Sequence, residues 1–358
     1  LRHGAGELRG RGPNQAGLAG GLTTALKTVL SLAASLLLPA EARAQDVPQI
    51  WWGVWDYLVE NVCVNAADRA LPGVSPLDAP AACPRQRKLR IGERLPYHKR
   101  DWPGIGDGAH PDGYQQSDSV PVQSRYGPAV VQTYDFGDDP RRFGTFDTGD
   151  GGQIAFFTAS TAAFGITEDG GAGLQFFIGP GCQPVDSWVI VDSSFATQPA
   201  GEMLARITLQ VSPCPVRFGY AFTSWHVQPI TFRIRVRGQL GQATMETLVS
   251  DHFGGRDVAS ADHLERMYFT QALGYTRWER WQHLAVHDRP ADRAMGAAIA
   301  ATQRCAAGLG PPTPEGWIMV DCREWTQMAP PADPAGDKPD FWIARLRENP
   351  ATAAIFPP

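Results

Sequence analysis

Residues 264–281 read LERMYFTQALGYTRWERW, from Leu264 to Trp281. Two aromatic runs that also carry charge flank Gly274 at the spacing of a β-hairpin. A loop ending at Gly274 sets Arg266 opposite Glu279, Glu265 opposite Arg280 and Met267 opposite Trp278, so unlike charges meet across the strands. A three-residue loop, Ala272 to Gly274 with the glycine left-handed, shifts the register and brings Arg266 against Arg280. The charge-matched register is therefore the expected one. It puts Tyr268, Tyr275, Arg277, Glu279 and Trp281 on one face of the hairpin, and Met267, Phe269 and Trp278 on the other.

Strands need other strands, and residues 129–286 supply them. Apolar runs of strand length recur between glycine-rich turns: Ala129 to Val131, Ile154 to Phe157, Leu174 to Ile178, Trp188 to Val191, Ile207 to Val211 and Val216 to Trp225. The cleanest alternation runs from Ile230 to Arg237, with Ile230, Phe232, Ile234 and Val236 inward and Thr231, Arg233, Arg235 and Arg237 outward. A turn at Gly238 to Gly241 would set Arg237 against Gln242, Ile234 against Met245, Arg233 against Glu246 and Ile230 against Val249. Many short strands without helical periodicity between them predict an all-β-dominated fold, an antiparallel β-sandwich of jelly-roll or lectin-like type.

The flanks read differently. Residues 45–128 form a Pro/Gly-rich N-terminal wrap. It opens on Trp51, Trp55, Leu58 and Val62 at helical spacing, although Tyr57 to Val64 also suits a strand. Residues 129–286 are the sandwich core. Residues 287–358 form a C-terminal appendage, with a helix from Pro290 to about Ala307, a strand from Trp317 to Cys322 and a tail in which Phe341 to Ile343 re-dock on the body. Residues 1–44 read as a leader and signal peptide. Lys27 precedes the apolar run Val29 to Leu38, and Ala42 and Ala44 suit cleavage before Gln45. The expected location is secreted or periplasmic, with no stable membrane span left after cleavage.

Charge and cysteines narrow the classes further. The formal net charge of the 358 residues is −5, and loss of residues 1–44 removes five basic and two acidic side chains to leave −8. Such a chain lacks the dense basic surface that nucleic acid requires. Six cysteines follow the leader, and pairing in sequence order gives Cys63 with Cys83, Cys182 with Cys214 and Cys305 with Cys322. No CxxC spacing argues for zinc.

Motifs that carry chemistry are few. The letters of a dinucleotide loop at Gly104 to Ala109 sit between Pro103 and Pro111, where no strand precedes and no helix follows. Asp107, Asp112, Asp118, Asp147, Asp150 and Asp169 offer oxygen ligands for a structural calcium, but they also suit ordinary turns; no other cofactor is implied. His252 and His263 lie next to Asp251 and Asp262 without a nucleophile or third ligand in view.

Three functions remain. The face carrying Tyr268, Tyr275, Arg277, Glu279 and Trp281 has the stacking rings and charged groups that bind sugar, so the leading expectation is non-catalytic binding of an extracellular or cell-envelope carbohydrate. The row Arg233, Arg235 and Arg237 would suit a uronic or sulfated polymer. A glycan-cleaving enzyme would use two of Glu246, Asp251, Glu265 and Glu279 across a sugar. The third function is a structural or interaction protein of the envelope with no small ligand.

Overall fold

The computed structural model describes residues 52–102, 105–106, 116–124, 127–135, 151–157, 161–166, 187–192, 195, 197–209, 217–286, 288–302, 305, 309–312 and 315–330. In chain order the elements are α1 (Trp52–Leu58), β1 (Asn61–Cys63), β2 (Gln86–Lys88), β3 (His98–Arg100), β4 (Ile105–Gly106), β5 (Gln116–Ser124), β6 (Gly127–Asp135), β7 (Gly151–Phe157) and β8 (Thr161–Ile166). There follow β9 (Ser187–Asp192), β10 (Gly201–Leu209), β11 (Arg217–Val236), β12 (Gln239–Phe253), β13 (His263–Thr270), β14 (Gly274–His283), α2 (Pro290–Ala301), β15 (Trp317–Glu324) and β16 (Gln327–Ala329).

Strands dominate, as the alternating apolar runs predict, and they build one large sheet that curls until it is nearly closed. The order is β4-β15-β14-β13-β12-β11-β16-β3-β5-β6-β7-β8-β9, with β10 paired to β11 beside that path; β1 and β2 pair separately. Alternation alone predicts two facing sheets, yet these strands are continuous. The reason lies in β11, 20 residues long, which pairs with β10 through its first half and with β16 at its far end. A strand of that length twists enough to serve both regions. The sheet also draws β3, β4 and β5 from the N-terminal wrap and β15 and β16 from the C-terminal appendage.

The hairpin β13–β14 has the charge-matched register: Arg266 faces Glu279, Glu265 faces Arg280 and Met267 faces Trp278. Its loop is Gln271 to Leu273, and Gly274 is left-handed at φ 61°. The two features coexist because the register shifts between Tyr268 and Phe269, leaving Thr276 as an unpaired bulge. Space as well as φ calls for glycine at 274, since a Cβ would stand 3.1 Å from both Glu60 Oε1 and Leu58 O.

The β11–β12 register differs from the expected one. The turn is Arg237-Gly238, both at positive φ (50° and 80°), which is the two-residue type I′ geometry of tight hairpins. Val236 therefore faces Gln239, Arg233 faces Gln242 instead of Glu246, Ile234 faces Gly241 and Ile230 faces Met245 instead of Val249. The slip is an even number of residues, so every side chain keeps its face, and alternation could not tell the two registers apart.

Both readings of the opening hold in turn: α1 ends at Leu58 and β1 begins at Asn61. Val54, Leu58 and Val62 are fully buried in the main core with Phe232, Tyr268, Phe269 and Trp325. Lys88 Nζ closes the C-terminal end of α1 by donating to Val59 O (3.0 Å), and also to Gln271 O (2.5 Å) in the hairpin loop. Burial lowers the Lys88 pKa to about 8. Lys99 Nζ is buried against Glu60 Oε1 (2.5 Å) and donates to Leu273 O (2.6 Å) and Tyr275 O (3.0 Å).

Disulfides join Cys63 to Cys83 and Cys305 to Cys322. Cys182, Cys214, the Leu174 to Ile178 run and Phe341 to Ile343 lie outside the described residues. Helix α2 ends at Ala301, short of the expected Ala307, where the Thr302 hydroxyl donates to Ile299 O and the chain turns through Cys305 at φ 55° toward Cys322. Among the described residues no helix is long and apolar enough to cross a membrane.

Candidate functional site

The four strands β12 to β15 lie side by side, and directly opposed residues share a face. One row across them is Asp251, Arg266, Glu279 and Cys322. The next is Val249, Tyr268, Arg277 and Glu324. Period-two alternation thus places five charged groups on adjoining rungs of one face, and the sheet's curl with its surrounding elements closes over them. Of the expected sugar-binding set, Glu279 and Tyr268 are 0% exposed, Tyr275 and Arg277 1%, and Trp281 5%.

Each group in these rows is engaged. Arg266 donates from Nε to Asp251 Oδ1 (2.6 Å), from Nη2 to Asp251 Oδ2 (3.1 Å) and from Nη1 to Gly310 O (2.6 Å). Arg277 donates from Nε to Glu324 Oε2 (2.7 Å), with Nη2 also on that oxygen. Its guanidinium lies over the rings of Phe232 (4.9 Å) and Tyr268 (5.1 Å). Glu279 accepts from the Tyr268 hydroxyl (2.9 Å) and from Trp281 Nε1 (3.1 Å), and a guanidinium nitrogen of Arg266 and one of Arg277 each stand 3.7 Å from it.

Burial sets the protonation behaviour of this lattice. Loss of water pushes the Glu279 carboxyl above the usual range, against the pull of Arg266 and Arg277. Burial and the Glu279 charge together raise the Tyr268 hydroxyl. Burial opposes the charges of Arg266 and Arg277, yet Asp251 and Glu324 outweigh it and raise both. The result is a lattice of buried carboxyl and guanidinium groups held in register by one another.

Tyr275 leaves the expected face: the Thr276 bulge sets it opposite Phe269, on the other side of the hairpin from Tyr268. Its ring stacks on Phe269 and tilts against Trp325, both with centroids at 5.0 Å. The other candidate carboxylates are separated. Glu265 lies on the opposite face, where Trp278 Nε1 donates to it (3.2 Å), and Glu246 is exposed. His252 is also on that opposite face, fully buried, with Nε2 2.8 Å from Ser250 Oγ. Burial lowers the His252 pKa to about 3, which keeps the ring neutral. The Ser–His contact resembles part of a hydrolytic set in distance, but both side chains are closed to solvent. His263 pairs with the adjacent Asp262 at 2.5 Å.

The calcium candidates Asp107, Asp112, Asp147, Asp150 and Asp169 lie outside the described residues. Among the described residues no group of three His, Cys, Asp or Glu side chains is arranged to hold a metal.

One cluster escaped the sequence. Trp102 is placed against β11 so that the guanidinium carbons of Arg233 and Arg235 stand 4.0 and 4.8 Å from its ring centroid. The outward alternation signalled the arginines. Nothing local signalled Trp102, which sits in a turn-rich stretch over 120 residues earlier.

No protein-family model, curated protein or solved structure matches this chain.

Proposed function

We propose that this chain acts by binding and not by catalysis, in the extracellular or cell-envelope space. The observation that supports it most is the state of the four candidate acid/base carboxylates. Asp251, Glu265 and Glu279 are buried and hydrogen-bonded, while Glu246 is exposed on β12, away from the other three. Hydrolysis of a glycosidic bond needs two carboxyl groups facing each other across space for a sugar. Two disulfides in the described residues fit an oxidising compartment, and cleavage before Gln45 is part of the proposal.

Carbohydrate is the ligand class this reading favours. The support comes from the exposed side of β11 and β12, where arginines, hydroxyls and an amide stand in solvent, and not from the buried face of β13–β14. The experiment is a polysaccharide panel incubated with the mature protein and scored for new reducing ends. No release above the blank is expected. Release that Glu246→Gln or Glu279→Gln abolishes while the protein stays folded would overturn the proposal.

A further inference from the structure

Arg233 and Arg235 differ from Arg237, Arg266 and Arg277 in what they lack. Arg266 and Arg277 hold buried carboxylates, and Arg237 at the hairpin turn holds Asp78. Neither Arg233 nor Arg235 meets a carboxylate among the described residues. Asp101, next to Trp102 in the chain, turns elsewhere: its Oδ1 accepts from Glu324 N (2.8 Å) and its Oδ2 lies 3.8 Å from Arg323.

Two like charges over one indole repel each other, so their placement needs a cause, and the cause is a chain of fixed contacts. Trp102 Nε1 donates to Thr326 Oγ1 (2.8 Å), whose hydroxyl donates to Arg233 O (2.6 Å), tying the ring to the strand that carries both arginines. Arg235 Nη1 donates to Gln327 Oε1 (2.7 Å), and Gln327 Nε2 donates to Asp101 O (2.6 Å). The ring and the Arg235 fork are thus held in place, while Arg233 is exposed and donates no side-chain hydrogen bond among the described residues. A pair of planar forks that meets no acid among the described residues is suited to an oxyanion from outside.

The same face says what carries that oxyanion. Opposed residues on β11 and β12 put Gln242 beside Arg233, and Thr244 beside Thr231, whose hydroxyl is 2.8 Å from that of Thr244. Hydroxyls and an amide suit the neutral oxygens of a sugar. Nucleic acid is held through a dense basic surface along its phosphates, which an acidic chain of net charge −5 does not favour. We infer that Arg233 and Arg235, stacked on Trp102, form a clamp for the carboxylate or sulfate groups of an acidic polysaccharide. The inference rests on the binding reading above and names its ligand class.

The test is retention of the full mature protein on immobilised polygalacturonate and heparin, with dextran as the neutral control and single-stranded DNA as the competing polyanion. Retention on at least one acidic glycan and not on dextran is expected. Arg233→Ala with Arg235→Ala should weaken it at least ~10-fold, as expected for loss of two charge-assisted contacts. Arg237→Ala removes one charge from the same hairpin and should change it less than ~3-fold, because that arginine is already committed to Asp78. Absence of retention on both acidic glycans, equal losses in the two sets of variants, or tighter retention on DNA than on either glycan would each overturn the inference. Reducing ends counted in the eluates separate the two readings: glycan release breaks the non-catalytic proposal, whereas the variant comparison decides the clamp alone.

Discussion

The hairpins β11–β12 and β13–β14 are built from the same residue types and use them in opposite ways. In β13–β14 the arginines and carboxylates of one face are buried and bound to one another. In β11–β12 the outward arginines stand at the surface, and two of them have a ring in place of an acid. The strand pattern alone cannot separate these cases, because both put charge on one side of a strand. What separates them is whether neighbouring elements cover that side, and that is decided by strands far away in the chain.

The sharpest way to break this comparison is to remove one member of the covered lattice. Arg277→Ala leaves Glu324 and Glu279 buried beside an empty space and should lower unfolding free energy by about 3–5 kcal/mol in urea titrations. Replacing the pair together, Arg277→Met with Glu324→Leu, should lose less than the single variant. A double variant as unstable as the single one would mean that the lattice matters for more than its own charge balance.

Acid should expose the buried side next. His252 is neutral in the folded protein because burial lowers its pKa to about 3, whereas the unfolded chain takes up the proton near the ordinary ~6.5. Its contribution is complete above ~6.5 and is lost as pH falls toward 3, at up to about 1.4 kcal/mol per pH unit. Glu279 works in the opposite direction, since a raised carboxyl favours folding below its ordinary pKa and loses that contribution as pH rises through its folded value. His252→Gln should flatten the acid limb of melting temperature against pH. An unchanged acid limb would show that other groups govern it.

Loss of the Cys305–Cys322 bridge should be milder. It fastens the chain after α2 to β15, near the point where Gly310 O accepts from Arg266. Cys305→Ser with Cys322→Ser should lower stability by about 2–4 kcal/mol, measured by denaturation. The smallest effect belongs to the open hairpin: Arg233→Ala should change stability by about 1 kcal/mol or less, the size of one exposed cation–π contact. A loss comparable to that of Arg277→Ala would erase the distinction between the two regions.

Much of this was legible from residues alone, but unevenly. The β13–β14 register follows from its charges, because only one pairing sets Arg266 against Glu279 and Glu265 against Arg280. In β11–β12 the alternation is regular enough that a slip of four leaves every side chain on its face, so the true register depended on the positive φ values at Arg237 and Gly238. The shared face of Tyr268, Arg277, Glu279 and Trp281 was readable; its burial was not. Burial came from partners such as Glu324 and Gly310, which the sequence places far from the hairpin. The Trp102 stack was hidden for the same reason.

The buried Lys99 carries a consequence for the order of assembly. Its ammonium joins Glu60 to carbonyls of the hairpin loop across sequence separations of 39 and 174 residues. The segment around α1 and β3 leaves the ribosome long before its partner strands exist, so it must wait, with its charges hydrated, until β13 and β14 arrive. Closure over such spans makes for slow folding. It also makes the segment around Glu60 and Lys99 the last to be sealed, so a fragment beginning beyond Glu60 would leave Lys99 without its carboxylate and should fail to close the hairpin tip.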